Sequence, residues 1–494
     1  MRIHRAAILA FAAIAISISY AYAADQAQAL HLLNRITYGP SPYSMAQVQS
    51  MGLTAYIEQQ LHPEQIQDAP ELQQALDQLT ILKMTLPEIT NEYTLPEMKG
   101  EKPSPDEKKA ERQKQKIIGD EMRDAKLLRA VYSQAQLQEL MVDFWFNHFN
   151  VFENKEAVRV LMGTYERDAI RPYAMGKFRD LVEATAHHPA MLFYLDNWLN
   201  TDPNSRIANK RFSGLNENYA REIMELHTMG VNGGYTQQDV TQLARILTGW
   251  GFGFGKGETK AQKISEFGFD QRRHDFSNKI LLGHTISSNG EQEVEQAIDI
   301  LVNHPATAHH ISYEIAQYFV ADDPPESLVN AMAATFTGTG GDIRAVLSTM
   351  LYSKEFWDPK YYQNKFKPPL RYVVSSIRLS GVQVNAFDKV SNAIKDMGEP
   401  LYEYLTPDGY AATNERWLNS DALLRRINFA RQVANGKFAQ DDTTTRGIAP
   451  ITSTNSMLAV FGNQFSANSR AAVDSAEKKL KPVLILSSPE FVYY

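Results

Sequence analysis

Apolar residues recur at helical spacing along most of this chain. The clearest case is LLRAVYSQAQLQELMVDFWFNHFNVF, which begins at Leu127. One broad, mostly apolar helical face carries Leu137, Leu140, Met141, Phe144, Trp145 and His148 at helical spacing. Shorter patterns predict a helix from a Ser44 cap to Leu61, another over 217–229 behind an Asn216 cap, and a third that opens with a Thr236–Asp239 capping box. The sequence therefore predicts a mainly α fold, a large multi-helix globular domain.

One stretch departs from this pattern. Residues 250–257 read WGFGFGKG, and residues 267–283 contain short apolar runs that polar turns interrupt. We expect a small irregular region here with one β-hairpin, in which FGFD pairs with KILL. Loops of this kind on a helical scaffold are common places for functional side chains.

The first 23 residues have the pattern of a secretory signal peptide. Arg2 and Arg5 precede the uncharged apolar run AAILAFAAIAISIS, and Ala21 and Ala23 are small residues at the positions that a signal peptidase reads. The alternative is a membrane anchor, but the run is shorter than the ~20 apolar residues that span a bilayer. We expect cleavage after Ala23, a periplasmic or secreted location, and no transmembrane anchor after cleavage.

Residues 24–494 are then expected to form a single large helical domain, with a C-terminal subdomain from about residue 366 as an open alternative. Residues 96–124 read PEMKGEKPSPDEKKAERQKQKIIGDEMRD. This charged insertion has few apolar residues to bury, so we expect it to be mobile.

Charge and composition narrow the possible functions. The whole chain has a formal charge of -7, which becomes -9 once Arg2 and Arg5 are removed. A mildly acidic protein lacks the basic surface that a nucleic-acid partner requires. The chain contains no cysteine, so thiolate nucleophiles, iron–sulfur clusters and cysteine-type zinc sites are excluded.

Several blocks of the chain resemble one known family. The central block is ENYAREIMELHTMGVNGGYTQQDVTQLARILTGW (Glu217–Trp250), and the flanking blocks are HLLNRITYGPSP, FWFNHF, MLFYLDN, RRHD, HPATAHHI and SSPEF. In this order they resemble the bacterial exported family named domain of unknown function 1800. The resemblance implies an exported helical protein without an established reaction. It also implies a sulfatase-like exported protein as a partner, because members look as if they are encoded beside such proteins.

The predicted helix from residue 217 offers two carboxylates as candidate catalytic groups. Glu222 and Glu225 are three residues apart and share a stripe of the helix, so they can act as acid and base or converge on a cation. The alternative is a salt-bridged helix surface, because Arg221 stands four residues from Glu217 and four from Glu225.

Three further residues complete the candidate site. His148 lies on a strongly apolar helix face, where it is either a general base or metal ligand, or a hydrogen-bonded core residue. His274 and Asp275 lie in the irregular region, where they either face a cleft or cap a turn. For a divalent metal such as zinc, manganese or calcium, the candidate ligands are His148, Glu222, His274 and Asp275.

The leading hypothesis is a hydrolase that acts on a cell-envelope or extracellular polymer. It would use one cluster of side chains, namely His148, Glu222, Glu225, His274 and Asp275, with or without a metal. The alternative hypothesis is a non-catalytic helical scaffold that binds an exported partner protein or a glycan through its aromatic loops.

Overall fold

A computed structural model describes residues 26–93, 104–206, 214–253, 264–287, 289–438 and 453–494. The predicted signal peptide, residues 1–23, lies outside the described residues. The first half contains α1 (26–36), α2 (Pro42–Met51), α3 (Leu53–Leu61), α4 (Pro70–Leu76), α5 (Leu86–Tyr93), α6 (Pro105–Tyr132), α7 (Gln136–His148), α8 (Val158–Leu161), α9 (Phe178–His187), α10 (Pro189–Tyr194), α11 (Asn218–Glu225) and α12 (Gln237–Ile246).

Two small hairpins follow α12, and helices then continue to the end. The strands are β1 (Trp250–Phe252), β2 (Phe267–Phe269), β3 (Lys279–Leu281) and β4 (His284–Ile286). The later helices are α13 (Gln292–Val302), α14 (Pro305–Phe319), α15 (Glu326–Thr339), α16 (Ile343–Leu351), α17 (Pro369–Ser380), α18 (Phe387–Asp396), α19 (Asn414–Trp417), α20 (Ser420–Ala434), α21 (Thr454–Phe461), α22 (Ala467–Ser475), α23 (Lys481–Ser487) and α24 (Pro489–Val492). The predicted mainly α fold is confirmed.

Burial of apolar side chains explains how these helices assemble. One cluster of buried side chains extends from Ala29 to Val492, and residues on both sides of position 366 contribute to it. Short helices gain most of their stability from such packing, since isolated helices of this length are marginal in water. Among the described residues, no helix is both long and apolar enough to cross a membrane.

Some predicted helix boundaries need correction. Ser41, not Ser44, caps α2, and Gly52 separates α2 from α3 with a φ of 84°. Ser44 is the reciprocal residue of that capping box, so the motif was assigned one turn too late. The Thr236–Asp239 capping box at α12 is confirmed. Helix α11 ends at Glu225, four residues before the predicted end, and residues 226–228 form a turn.

The predicted strand pairing was wrong. FGF pairs with Trp250–Phe252, and KIL pairs with His284–Ile286, so the irregular region contains two hairpins. The reason is local. Leu282 and Gly283, both with positive φ, form a two-residue turn between β3 and β4, which lets each strand pair with its nearest neighbour in sequence.

The charged insertion is more structured than its composition indicates. From Ser104 onward it belongs to α6, whose first ten residues are mostly exposed. Burial starts at Gln115 and includes Ile118 and Met122. A few apolar residues at helical spacing are therefore enough to attach this helix to the core. Mobility of the segment stays a prediction, and residues 94–103 lie outside the described chain.

Candidate functional site

Helix α7 holds polar side chains at one end of an otherwise buried helix. Its core residues Leu137, Leu140 and Met141 are fully buried. Asp143 and His148 lie towards its C-terminal end, and both line a cleft. Because the apolar face determines how the helix is rotated, the polar residues are held towards this cleft.

This α7 cleft consists of two adjoining cavities. A cavity of about 80 Å³ lies beside Asp143, and one of about 130 Å³ lies beside His148. The two cavities share part of their walls, namely Phe144, Asn147, Tyr318, Tyr410, Ala411 and Ala412. Helix α14 supplies Tyr318, and the irregular segment 397–413 before α19 closes the opposite side.

The Asp143 cavity contains a buried lysine. Lys126 of α6 places its Nζ 2.8 Å from Asp143 Oδ1 and 3.2 Å from Glu166 Oε2. Burial by itself lowers the pKa of Lys126, but Asp143 and Glu166 raise it well above its usual value. The lysine therefore stays charged beside Asp143.

Glu399 lines the same cavity in a different environment. Its Oε2 accepts a hydrogen bond of 2.7 Å from the Leu370 backbone N–H. Burial, with a smaller contribution from the charge of Asp143, raises the pKa of Glu399 to about 8, although the Leu370 hydrogen bond opposes this shift. At neutral pH Glu399 is consequently mainly a protonated acid.

A strained residue forms part of the cavity wall. Tyr402 has a φ of 66°, a left-handed conformation that is rare for a bulky side chain. Its hydroxyl donates to Glu166 Oε2 at 2.9 Å, and its carbonyl accepts from the Glu153 N–H at 2.9 Å. Strain of this kind persists where surrounding contacts hold it, and it is found frequently at functional sites.

The second cavity contains the predicted site residue His148. Its Nδ1 lies 2.7 Å from Glu314 Oε2, and its Nε2 lies 3.2 Å from the carbonyl oxygen of His227. His310 Nε2 is 3.5 Å from the other oxygen of Glu314. Burial raises the pKa of Glu314, but His148 and then His310 reverse this and lower it below its usual value.

The two predicted glutamates lie on α11. Glu222 is half-buried, and burial, followed by the charge of Glu225, raises its pKa. The charge of Asp408, which lines the His148 cavity, contributes to the same shift. Glu225 Oε1 is 3.3 Å from Arg221 Nη1. Glu222 interacts with the charge of Asp408 but does not itself line the His148 cavity, whereas Glu225 has the ion pair that the structural alternative predicted.

His274 and Asp275 belong to a separate buried network. His274 Nδ1 donates to the Thr248 carbonyl at 2.8 Å, and its Nε2 lies 3.3 Å from Glu293 Oε1. Asp275 Oδ2 accepts a 2.7 Å hydrogen bond from Arg245 Nε. Burial opposes ionisation of Asp275, but bonds from Arg245 and Ser277 lower its pKa to about 2. In the described chain His274 and His148 share no hydrogen-bonding partner.

The five predicted site residues do not all lie in one place. The structure places His148 in the α7 cleft, leaves Glu222 outside the lining of both cavities, and gives His274 and Asp275 other partners. Catalytic roles for all five residues stay predictions. Within the part of the chain that the structure describes, no group of three or more histidine, aspartate and glutamate side chains is arranged to hold a metal ion.

Sequence reasoning missed Asp143, Glu314 and Glu399. Asp143 did carry a signal, because it is a lone acidic residue inside the apolar run LMVDFWF. Glu314 and Glu399 come from segments far along the chain, and only the folded structure brings them to α7.

Comparison with known proteins identifies the family but no activity. The chain matches none of the curated proteins and none of the solved structures with which it was compared. Residues 31–493 match the family described as protein of unknown function, DUF1800. This match covers nearly the whole chain and agrees with the resemblance that its sequence blocks indicated. The chain is a member of the DUF1800 family.

Proposed function

We propose that this protein is a hydrolase that cleaves a polymer of the cell envelope or extracellular space in the α7 cleft. Glu399 is the general acid and Asp143 is the general base. The observation that carries the proposal is the contrast between these two carboxyl groups of one cavity. Asp143 lies 2.8 Å from the Lys126 ammonium group, whereas no described cation forms an ion pair with Glu399. Two carboxyl groups with opposed environments divide naturally into acid and base.

In the proposed reaction, Asp143 takes a proton from a water molecule whose oxygen attacks the carbon of a C–O bond. Glu399 gives its proton to the oxygen that leaves as this bond breaks. One water is consumed, and proton transfer from Asp143 to Glu399 through solvent restores the starting state. Positioned acid and base groups of this type accelerate hydrolysis by about 10²- to 10⁴-fold each.

The lining of the cleft favours a glycan as the polymer. Tyr404, Tyr410 and Trp417 line the Asp143 cavity, and aromatic rings of this type pack against the apolar faces of sugars while their polar atoms bind hydroxyl groups. His148 and Glu314 form a polar end of the same cleft and are suited to bind substrate hydroxyls. His148 therefore keeps a role in the site, as a binding group.

The test is hydrolysis of purified polysaccharide and peptidoglycan fractions of the cell envelope, followed by the release of reducing ends. We expect Glu399→Gln to lower the rate about 10²- to 10⁴-fold without loss of stability, because glutamine resembles the protonated acid. The matched control is Glu403→Gln, which changes a more exposed neighbour paired with Lys395 at 2.9 Å. The wild-type rate is expected to fall as the pH rises through about 8, where Glu399 loses its proton.

Two results would contradict the proposal. If the wild type releases no product from any fraction, or if Glu399→Gln and Glu403→Gln are both as active as the wild type, the cleft is not a hydrolytic site of this kind. The scaffold hypothesis would then account for the protein, and binding of these same fractions without cleavage is its expected observation.

A further inference from the structure

A second groove lies apart from the α7 cleft. It has a volume of about 500 Å³ and is formed by α2, the turn between α6 and α7, the last turn of α17 and the beginning of α21. Its described lining shares no residue with either cavity of the α7 cleft. We call it the Arg378 groove.

The lining of the Arg378 groove is dominated by uncharged hydrogen-bonding groups. Serine hydroxyls, glutamine amides and tyrosine hydroxyls make up most of it, and Arg378 is the one charged side chain among the described lining residues. Such a surface offers many donors and acceptors to a ligand rich in hydroxyl groups.

Arg378 brings a positive charge without a described counter-charge. Its Nε donates to the Gly39 carbonyl at 3.0 Å, and its Nη1 donates to the Val131 carbonyl at 2.9 Å. In the described part of the chain no carboxylate forms an ion pair with it. Burial lowers the pKa of Arg378 to about 10, so the guanidinium is still charged at neutral pH. A partly desolvated cation of this kind gains charge-assisted hydrogen bonds when an anion binds.

Tyr43 presents an aromatic ring at the same groove. Its side chain is exposed, with 59 % of its surface accessible. Its hydroxyl receives a hydrogen bond of 3.1 Å from Gln47 Nε2 and lies 3.3 Å from Gln134 Oε1. These two amides orient the ring, whose face is available for stacking against a sugar ring.

We propose that the Arg378 groove binds an acidic saccharide, in which Arg378 pairs with a carboxylate and Tyr43 stacks on a sugar ring. The uncharged amides and hydroxyls then bind the remaining hydroxyl groups. The observations used here do not involve Asp143 or Glu399, so the groove can bind a saccharide whether or not the α7 cleft hydrolyses one.

The test is calorimetric titration of the full-length mature protein with a galacturonic acid trimer and with its neutral methyl ester. We expect the wild type to bind the acid more tightly than the ester. Arg378→Gln should weaken binding of the acid by about 10- to 100-fold, as for loss of a hydrogen-bonded charge. It should leave binding of the ester nearly unchanged, and Arg378→Lys should retain part of the preference for the acid. The matched control is Arg425→Gln, because Arg425 is exposed, pairs with Asp421 at 2.6 Å and does not line the groove.

Tyr43→Ala keeps the proposal testable if changes at Arg378 impair folding, because Tyr43 is exposed. This variant should weaken binding of acid and ester alike, with an unchanged melting temperature. The proposal is overturned if the wild type binds neither trimer, or if Arg378→Gln and Tyr43→Ala bind both as tightly as the wild type. Full displacement of the acidic trimer by an equal concentration of inorganic phosphate would also overturn it, since that result describes a site for a free anion.

Discussion

Glu222 and Glu225 lie one helical turn apart on α11, yet their carboxylates have different surroundings. The Glu225 Oε1 atom lies 3.3 Å from the Arg221 guanidinium. Glu222 accepts no hydrogen bond from another described side chain, and burial raises its pKa. A raised pKa means that the folded state prefers the protonated form of Glu222. The contribution of this preference to the free energy of unfolding is complete at pH values below the pKa of Glu222 in the unfolded state. It is lost as the pH rises through the pKa of Glu222 in the folded state.

We therefore expect Glu222→Gln to leave the free energy of unfolding at pH 7 unchanged or to raise it by less than about 1 kcal/mol. This difference should vanish below about pH 4, where the wild-type carboxyl is neutral in both states. Glu225→Gln is the matched control on the same helix, and loss of its partly exposed pair should cost about 0.5 kcal/mol. Denaturant unfolding at the two pH values measures both. A loss of about 3 kcal/mol for Glu222→Gln would instead indicate a buried ion pair.

For single residues, the sequence was a better guide to candidate site residues than to the contacts that these residues make in the folded protein. His148 was a candidate because it is a polar residue on an apolar helix face, and it does line the cleft. His274 was a candidate because it lies in an irregular region, but its ring is enclosed by Thr248 and Glu293. In both cases the signal in the sequence is local, whereas the partners of the two side chains come from other segments of the chain.

Helix α6 shows how few apolar residues are needed to bind an element to the core. Ile117 and Ile118 are adjacent in a charged sequence, but Ile117 is 41 % exposed and Ile118 is fully buried. The helix begins with a capping box in which Glu107 Oε2 accepts from the Ser104 N–H at 2.7 Å. The cap defines where the helix starts, and Ile118 marks the face that packs.

Ile118→Ala is expected to lower the free energy of unfolding by about 2–5 kcal/mol, because it leaves a cavity in the core. Ile117→Ala is the matched control and should change it by less than about 0.5 kcal/mol. Thermal or denaturant unfolding of the two variants measures the difference. Equal effects would show that α6 does not pack through this face and would support a fully mobile segment.

At the scale of the whole molecule, we predict from the sequence alone that the protein is exported. The mature protein should begin at or within a residue or two of Ala24 and should occur in the soluble periplasmic fraction, because the apolar run is shorter than a membrane span. N-terminal sequencing of protein from fractionated cells measures this. A variant with Ala23→Arg should retain residues 1–23, since arginine is not small enough for the peptidase. An intact N-terminus in washed membranes of wild-type cells would make the run an anchor.

The sequence by itself determined the mainly α class, the capping box of α12 and the family, and it offered His148 as a candidate site residue. These features depend on helical spacing, on residues three or four apart, or on contiguous blocks of sequence, all of which are local. Only the tertiary structure decided that Lys126, Asp143 and Glu399 share one cavity, and that Arg378 lines a groove with Tyr43. The physical reason is that burial and pairing of charges depend on which distant segments pack together, and these interactions set the pKa of Glu399.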